Sequence, residues 1–146
     1  MTEALPPPAR AIRDFRHEDA ELRRMSEWFR EFARTTGFPP DRSLDFELCL
    51  NELVANTIRH GREGAKRDIR ITLEHDAPSM RAAIEDDGPP FDPSTAPNRP
   101  SKEALETMRP GGWGIPIVHA FANEILYERR DGWNRVTIAM IASNPR

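Results

Sequence analysis

Glu52, Asn56 and His60 stand four residues apart in the run Leu50–Gly61. On a helix that spacing makes one polar stripe. Asn56 is the unusual member, because a neutral amide adds little solubility among so many charges but can bind a cation through its carbonyl oxygen. Glu52 lies one turn earlier, about 6 Å along the axis. Asp86-Asp87-Gly88 ends an alternating apolar and charged run, and a carboxylate there can accept a hydrogen bond from an amino group such as the exocyclic amine of adenine. Gly111-Gly112-Trp113-Gly114 runs into an apolar stretch, and glycines opening a helix expose N–H groups that bind anions, usually phosphate. Taken singly, each has a plainer explanation: a solvated helix face, an ordinary turn and a tight loop–helix junction.

Other chemistries find little support. The glycine turn lacks the Gly-Lys-Ser/Thr of a P-loop, and no strand leads into it as in a dinucleotide-binding fingerprint. No G-x-S-x-G occurs for a hydrolase nucleophile. His17, His60, His75 and His119 lack metal-ligand spacing and read as surface or packing residues. Arg129-Arg130 and the group Arg62, Lys66 and Arg67 read as solvated charge. Cys49 is the single cysteine, which excludes a disulfide framework within one chain, and its place in an apolar helical pattern reads as an inert buried thiol. The net charge of −3 supplies no basic excess for direct nucleic-acid binding, no apolar run approaches the ~20 residues of a membrane helix, and Met1–Arg10 lacks the plan of a signal peptide. A cytoplasmic protein is the expectation.

The elements that must hold these residues follow from periodicity. Arg42–His60 contains no Gly or Pro and places Phe46, Leu50, Leu53, Val54 and Thr57 on one helical face. Asp41 or Ser43 is expected to cap its start and Gly61 to end it. Glu18–Thr36 carries a second stripe through Leu22, Met25, Trp28, Phe29 and Phe32, closed by Gly37. Strands are expected at 10–15, on a sheet edge, and at 68–75, 80–85, 124–130 and 135–142, with Asp131-Gly132 a strong hairpin signal. Ile115–Ala122 reads as a buried helix. Residues 1–9, with Pro6-Pro7-Pro8, form an extended or disordered lead-in to a single domain over 10–146. Seven of the 14 prolines fall between Pro89 and Pro116, and 89–110 shows no periodicity apart from one short helical turn at Glu103–Met108. A loop that long inside a compact domain is usually functional. The pattern predicts an α+β two-layer sandwich with a mostly antiparallel or mixed sheet and helices on one face.

Together, and in this order, the three elements resemble the ATP-binding boxes of the GHKL superfamily of gyrase, Hsp90, histidine kinases and MutL. The closest likeness is to its small bacterial branch, the anti-sigma factor serine/threonine kinases. Glu52–Asn56 through His60 resembles the N box. Asp86-Asp87-Gly88-Pro89-Pro90-Phe91-Asp92-Pro93 resembles the first glycine box, and Gly111–Val118 the second. The likeness spans Leu44 to about Ile141 and implies the Bergerat ATP-binding fold, with ATP and Mg²⁺ as cofactors. By that likeness Asn56 is the Mg²⁺ ligand and Glu52 the catalytic base accepting the proton of a serine or threonine hydroxyl. Asp86 takes the adenine amine, Gly88 admits the base, and Phe91 can cover an apolar ring. Gly111, Gly112 and Gly114 wrap the phosphates, His60, Trp113 and Ile115 belong to the same nucleotide-binding boxes, and 89–110 is the lid.

There are departures. Pro90 stands at the second glycine of the first box, and Asn134 stands where many relatives carry a threonine near the adenine. No phospho-accepting histidine domain precedes the N box, and the long extra domain of gyrase or MutL is lacking. The resemblance thus implies a kinase that phosphorylates a small STAS-type antagonist protein and sequesters a sigma factor. The alternative is a nucleotide-gated binding module that transfers no phosphate. Whether the chain forms a homodimer is left open.

Overall fold

The computed structural model describes residues 7–94 and 114–142. The chain runs β1 (Ala9–Phe15), α1 (Glu21–Thr36), α2 (Pro40–Gly61), β2 (Ile69–Asp76), β3 (Ser79–Asp86), α3 (Gly114–Phe121), β4 (Glu124–Arg130) and β5 (Trp133–Ile141). The strands form one antiparallel sheet in the order β1-β2-β3-β5-β4, with β1 on an edge as its short pattern predicts. It starts at Ala9, inside the expected lead-in. The short helical turn predicted at Glu103–Met108 and most of the lid lie outside the described residues.

Alternation along the strands sends Ile69, Ile71, Leu73, Met80, Ala82, Ile84, Val136, Ile138 and Met140 to one buried face. The amphipathic stripes of α1 and α2 cover it with Met25, Phe29, Phe46, Leu50, Leu53 and Val54, all at most 2% exposed. Phe29 and Phe46 stack with ring centroids 5.1 Å apart and carry α1 onto α2. The opposite face is open. Its middle row is Ile12, Thr72, Ala83, Thr137 and Leu126 in register. One flanking row reads Asp14, Arg70, Glu85, Arg135, Glu128, an alternation of sign that keeps the uncovered face wet without a net field. The result is the predicted two-layer sandwich.

Turn chemistry explains the boundaries. Gly37 ends α1 in the left-handed region at φ 78°, and its N–H donates to the carbonyls of Ala33 and Arg34. Asp131 (φ 53°) and Gly132 (φ 83°) close the β4–β5 hairpin. Two helix-end expectations are corrected. Neither Asp41 nor Ser43 caps α2: the helix opens on Pro40, with Pro39 at the cap and no side-chain cap bond. Proline suits that position because the first-turn N–H groups lack helical partners anyway. Gly61 does not stop α2 as a left-handed cap either, since it is the last helical residue and Arg62 follows in the helical region. Its lack of a side chain serves packing, as described below.

Candidate functional site

Antiparallel order brings the C-terminal end of β3, the start of β5, the end of β4 and the chain leaving β1 to one end of the sheet. The C-terminal end of α2 packs there. Asp86 and Asn134 are register partners, and both point to the helix-covered face, at 6% and 3% exposure. Gly88 lies against Gly61: a Cβ on Gly88 would stand 3.1 Å from the Gly61 Cα and 2.7 Å from Asp86 Oδ2. Glycine is therefore required here so that the strand end can meet the helix. Asn56, five residues before Gly61, is about 7–8 Å back along the α2 axis. It is buried at 7% exposure, and Glu52, one turn further, is half-buried. Asn56 and Asp86 are thus brought to the same helix-covered end of the sandwich.

Asp86 is held by the protein. Its Oδ2 accepts from the Gly88 N–H at 3.0 Å, and its Oδ1 accepts from Asn134 Nδ2 at 3.2 Å. Asn134 is the hub of this end. Its Nδ2 also donates to the carbonyls of Gly88 (3.3 Å) and Pro89 (2.9 Å), and its Oδ1 accepts from the Tyr127 hydroxyl (2.6 Å) and Arg129 Nη1 (2.9 Å). An amide has two donor hydrogens and two acceptor lone pairs, so both lone pairs are used and three acceptors share the two hydrogens, one of them bifurcated. The residue supports Asp86 and the chain after it. Arg129 is exposed, as read, but it is not idle: its Nη1 donates to the Gly88 carbonyl at 3.1 Å. Arg130 is solvated, pairing across 3.6 Å with Glu128 at 80% side-chain exposure. Asp87 turns the other way and accepts from the N–H groups of Lys66 and Arg67.

The stretch after Gly88 is anchored again further on. Phe91 stacks on His60, with ring centroids 4.1 Å apart. Phe91 and His60, both predicted at the site, therefore cover each other. His119 of α3 places Nε2 2.8 Å from the Pro93 carbonyl, so it ties α3 to this stretch instead of facing solvent. Asn56 Oδ1 accepts from Arg59 Nη2. That contact occupies the amide oxygen with a charged donor from the next turn of α2. Ile115 is half-buried in the first turn of α3, which packs along α2, and Gly114 opens that helix. Gly111, Gly112 and Trp113 lie outside the described residues.

His17 was not singled out by its spacing. It sits in the turn between β1 and α1, with its side chain 13% exposed, and its Nε2 is 3.8 Å from Asp86 Oδ2. A Cβ on Gly61 would stand 2.2 Å from its ring. The sequence signal, in hindsight, is a glycine inside the helical run and a histidine just after a strand. The packing readings of His75 and Cys49 hold. His75 is a packing residue, 4% exposed and edge-on to Phe38, and burial pushes its imidazole below its ordinary value despite the neighbouring Asp76. Cys49 is fully buried, and burial pushes its thiol up to about 12.

Two surface clefts among the described residues, of about 700 and 350 Å³, include none of Glu52, Asn56 or Asp86. The first is a polar hollow edged by Asp14, Arg70 and Trp133, and the second an apolar groove between α1 and α2 at Phe38 and Leu44. Residues 95–113, which include most of the expected lid, lie outside the described residues. Among the described residues no cluster of His, Cys, Asp or Glu could hold a metal, and no helix is long and apolar enough to cross a membrane.

Comparison with known proteins bears on the family and the fold. Residues 15–140 match the family model described as the histidine kinase-like ATPase domain. A serine/threonine-protein kinase, BtrW, of Bordetella bronchiseptica is 33% identical over 92 residues, covering 62% of this chain and 65% of the relative. The chain thus spans just under two thirds of that relative's length. The crystal structure of the RsbU and RsbW domains of Rv1364c from Mycobacterium tuberculosis is similar over 96% of this chain and 33% of that one, at 19% identity and a TM-score of 0.64. That likeness concerns the fold.

Proposed function

Since the chain belongs to the histidine kinase-like ATPase domain family, we propose that it is an ATP-dependent serine/threonine protein kinase of the anti-sigma factor type. Its substrate in this reading is a serine or threonine of a small STAS-type antagonist protein, and its other partner is a sigma factor that it sequesters. The observation that carries the reading is the pairing of Asn56, whose amide oxygen already receives a guanidinium, with Asp86, a buried carboxylate at the same end of the sandwich. The similarity to a serine/threonine-protein kinase supports it.

Mg·ATP supplies the transferable phosphoryl group and neutralises its charge. Asn56 would hold the metal, and Arg59 must release the amide oxygen for that. Asp86, an acceptor kept in place by Asn134 and Gly88, takes the amine of the base. By the family likeness Gly111, Gly112 and Gly114 would offer N–H groups to the phosphates, and His60, Trp113 and Ile115 belong to the same nucleotide-binding boxes. Glu52 accepts the proton of the incoming hydroxyl, which is the acid–base work the transfer needs. The anchors at Gly88, Pro89, Phe91 and Pro93 fix the root of the lid. Phosphate transfer from radiolabelled ATP to a candidate antagonist, for wild type and Glu52→Gln, is the test. Loss of about 10²-fold or more in the variant is expected for a general base, and equal rates remove Glu52 from the mechanism. ATP-dependent partner binding without phosphoprotein would establish the nucleotide-gated module instead.

A further inference from the structure

Asp86 lacks something its burial calls for. Buried carboxylates are normally paired or fully hydrogen-bonded. Its two close partners, the Gly88 N–H and the Asn134 amide, are neutral. Among the described residues the one group within ion-pair range that can carry positive charge is His17, 3.8 Å away. His17 has the complementary deficit: Nε2 is buried and has no hydrogen-bond partner among the described residues. The gap is too long for a hydrogen bond, which needs about 2.7–3.2 Å. It is short enough that a movement of about 1 Å would close it. The ring reaches this place only because Gly61 has no side chain, since a Cβ would lie 2.2 Å from Cδ2 and Nε2.

We propose that His17 is a positioning residue for base recognition: its Nε2–H closes onto Asp86 Oδ2 and holds the carboxylate as an acceptor for the exocyclic amine of adenine. The inference rests on the reading of Asp86 given above and adds a specificity determinant to it. The chemistry is selective. A carboxylate that receives a proton donor from behind remains acceptor-only and suits the 6-amino group of adenine. Guanine and hypoxanthine present a carbonyl oxygen at that position and leave two acceptors facing each other. A site with buried acceptors discriminates strongly against a ligand that leaves them unpaired.

The test is calorimetric binding of the magnesium complexes of ATP, GTP and purine riboside triphosphate, which lacks the amine. Wild type, His17→Ala, His17→Gln and Asp86→Ala are compared, with a thermal melt of each. His17→Ala is expected to weaken ATP about tenfold, the worth of one hydrogen bond to a charged group. It should narrow the ATP-over-GTP preference by the same factor and leave the amine-free analogue within twofold. His17→Gln, which keeps an N–H donor at similar reach, recovers most of the ATP affinity. Equal weakening for all three nucleotides overturns the proposal in favour of plain packing, and unchanged ATP affinity in His17→Ala also overturns it. Failure of the wild type to bind Mg·ATP, or an Asp86→Ala variant that binds like wild type, refutes the nucleotide-site reading and the His17 proposal together. Should His17→Ala not fold, His17→Gln alone decides: it must keep the base preference of the wild type.

Discussion

Gly61→Ala sets two general rules against each other. Alanine inside a helix is normally better than glycine by about 0.5–1 kcal/mol, and Gly61 has no positive φ to make it special. Local reasoning therefore predicts a more stable protein. The structure predicts the reverse. The new methyl would lie 2.2 Å from two ring atoms of His17, where ordinary contact is about 3.5–4 Å. The imidazole must retreat by more than about 1 Å, yet its side chain is only 13% exposed. The helix cannot yield instead, because the Gly61 Cα is already tight against Gly88. Overpacking of this kind costs about 1–3 kcal/mol, so after the helical gain a net loss centred near about 1 kcal/mol remains. In a domain of this size that lowers Tm by roughly 3 °C. Urea denaturation with linear extrapolation measures it. The Gly61→Ala/His17→Ala double variant sharpens the reading: with the ring gone the methyl has room, so the double variant should be no less stable than His17→Ala alone. A Tm unchanged or raised by Gly61→Ala, or strictly additive losses in the double variant, would refute the steric account.

Asn134→Ala removes the donor to Asp86 and Pro89 and the acceptor of Tyr127 and Arg129 together. With water refilling part of the space, a loss of about 2–4 kcal/mol is expected from urea melts, and less than 1 would mean that the network is idle. Burial holds the imidazole of His75 below its ordinary value, so the folded state binds fewer protons than the unfolded chain. The stabilisation is complete above the unfolded value of about 6.5 and is lost as pH falls below it toward the folded value. The Tm of the wild type should accordingly drop more steeply between pH 7 and 5 than that of His75→Leu, and parallel curves would contradict this. With its thiol pushed up to about 12, Cys49 should resist a thiol reagent at pH 8 in the folded protein and react promptly in denaturant, whereas rapid labelling of the native chain would place it at the surface.

Much of this protein is legible in local pattern. The stripe Phe46, Leu50, Leu53, Val54 and Thr57 found its core, and Asp131-Gly132 found its hairpin. The alternation from 124 to 130 gave β4 its observed bounds. These succeed because periodicity and turn conformation are set by neighbours three or four residues away. The grouping of Asn56 with Asp86 was legible only through a family resemblance, since no spacing rule joins residues thirty apart. What escaped were the contacts made by sheet order and register. Arg129 read as solvated charge, and only pairing of β4 with β5, and of β5 with β3, put it over the Gly88 carbonyl. Asn134 became a hub because it is the register partner of Asp86.

His17 and Gly61 show the division most sharply. By itself the sequence placed Gly61 at the end of a helix and His17 between an edge strand and the first helix. Only tertiary packing decided that the two touch, that the glycine is there to admit the ring, and that the ring faces the buried carboxylate. The physical reason is range. Helical and strand preferences are decided within a few bonds of each residue, whereas a buried charge finds its partner wherever closure of the core happens to exclude water.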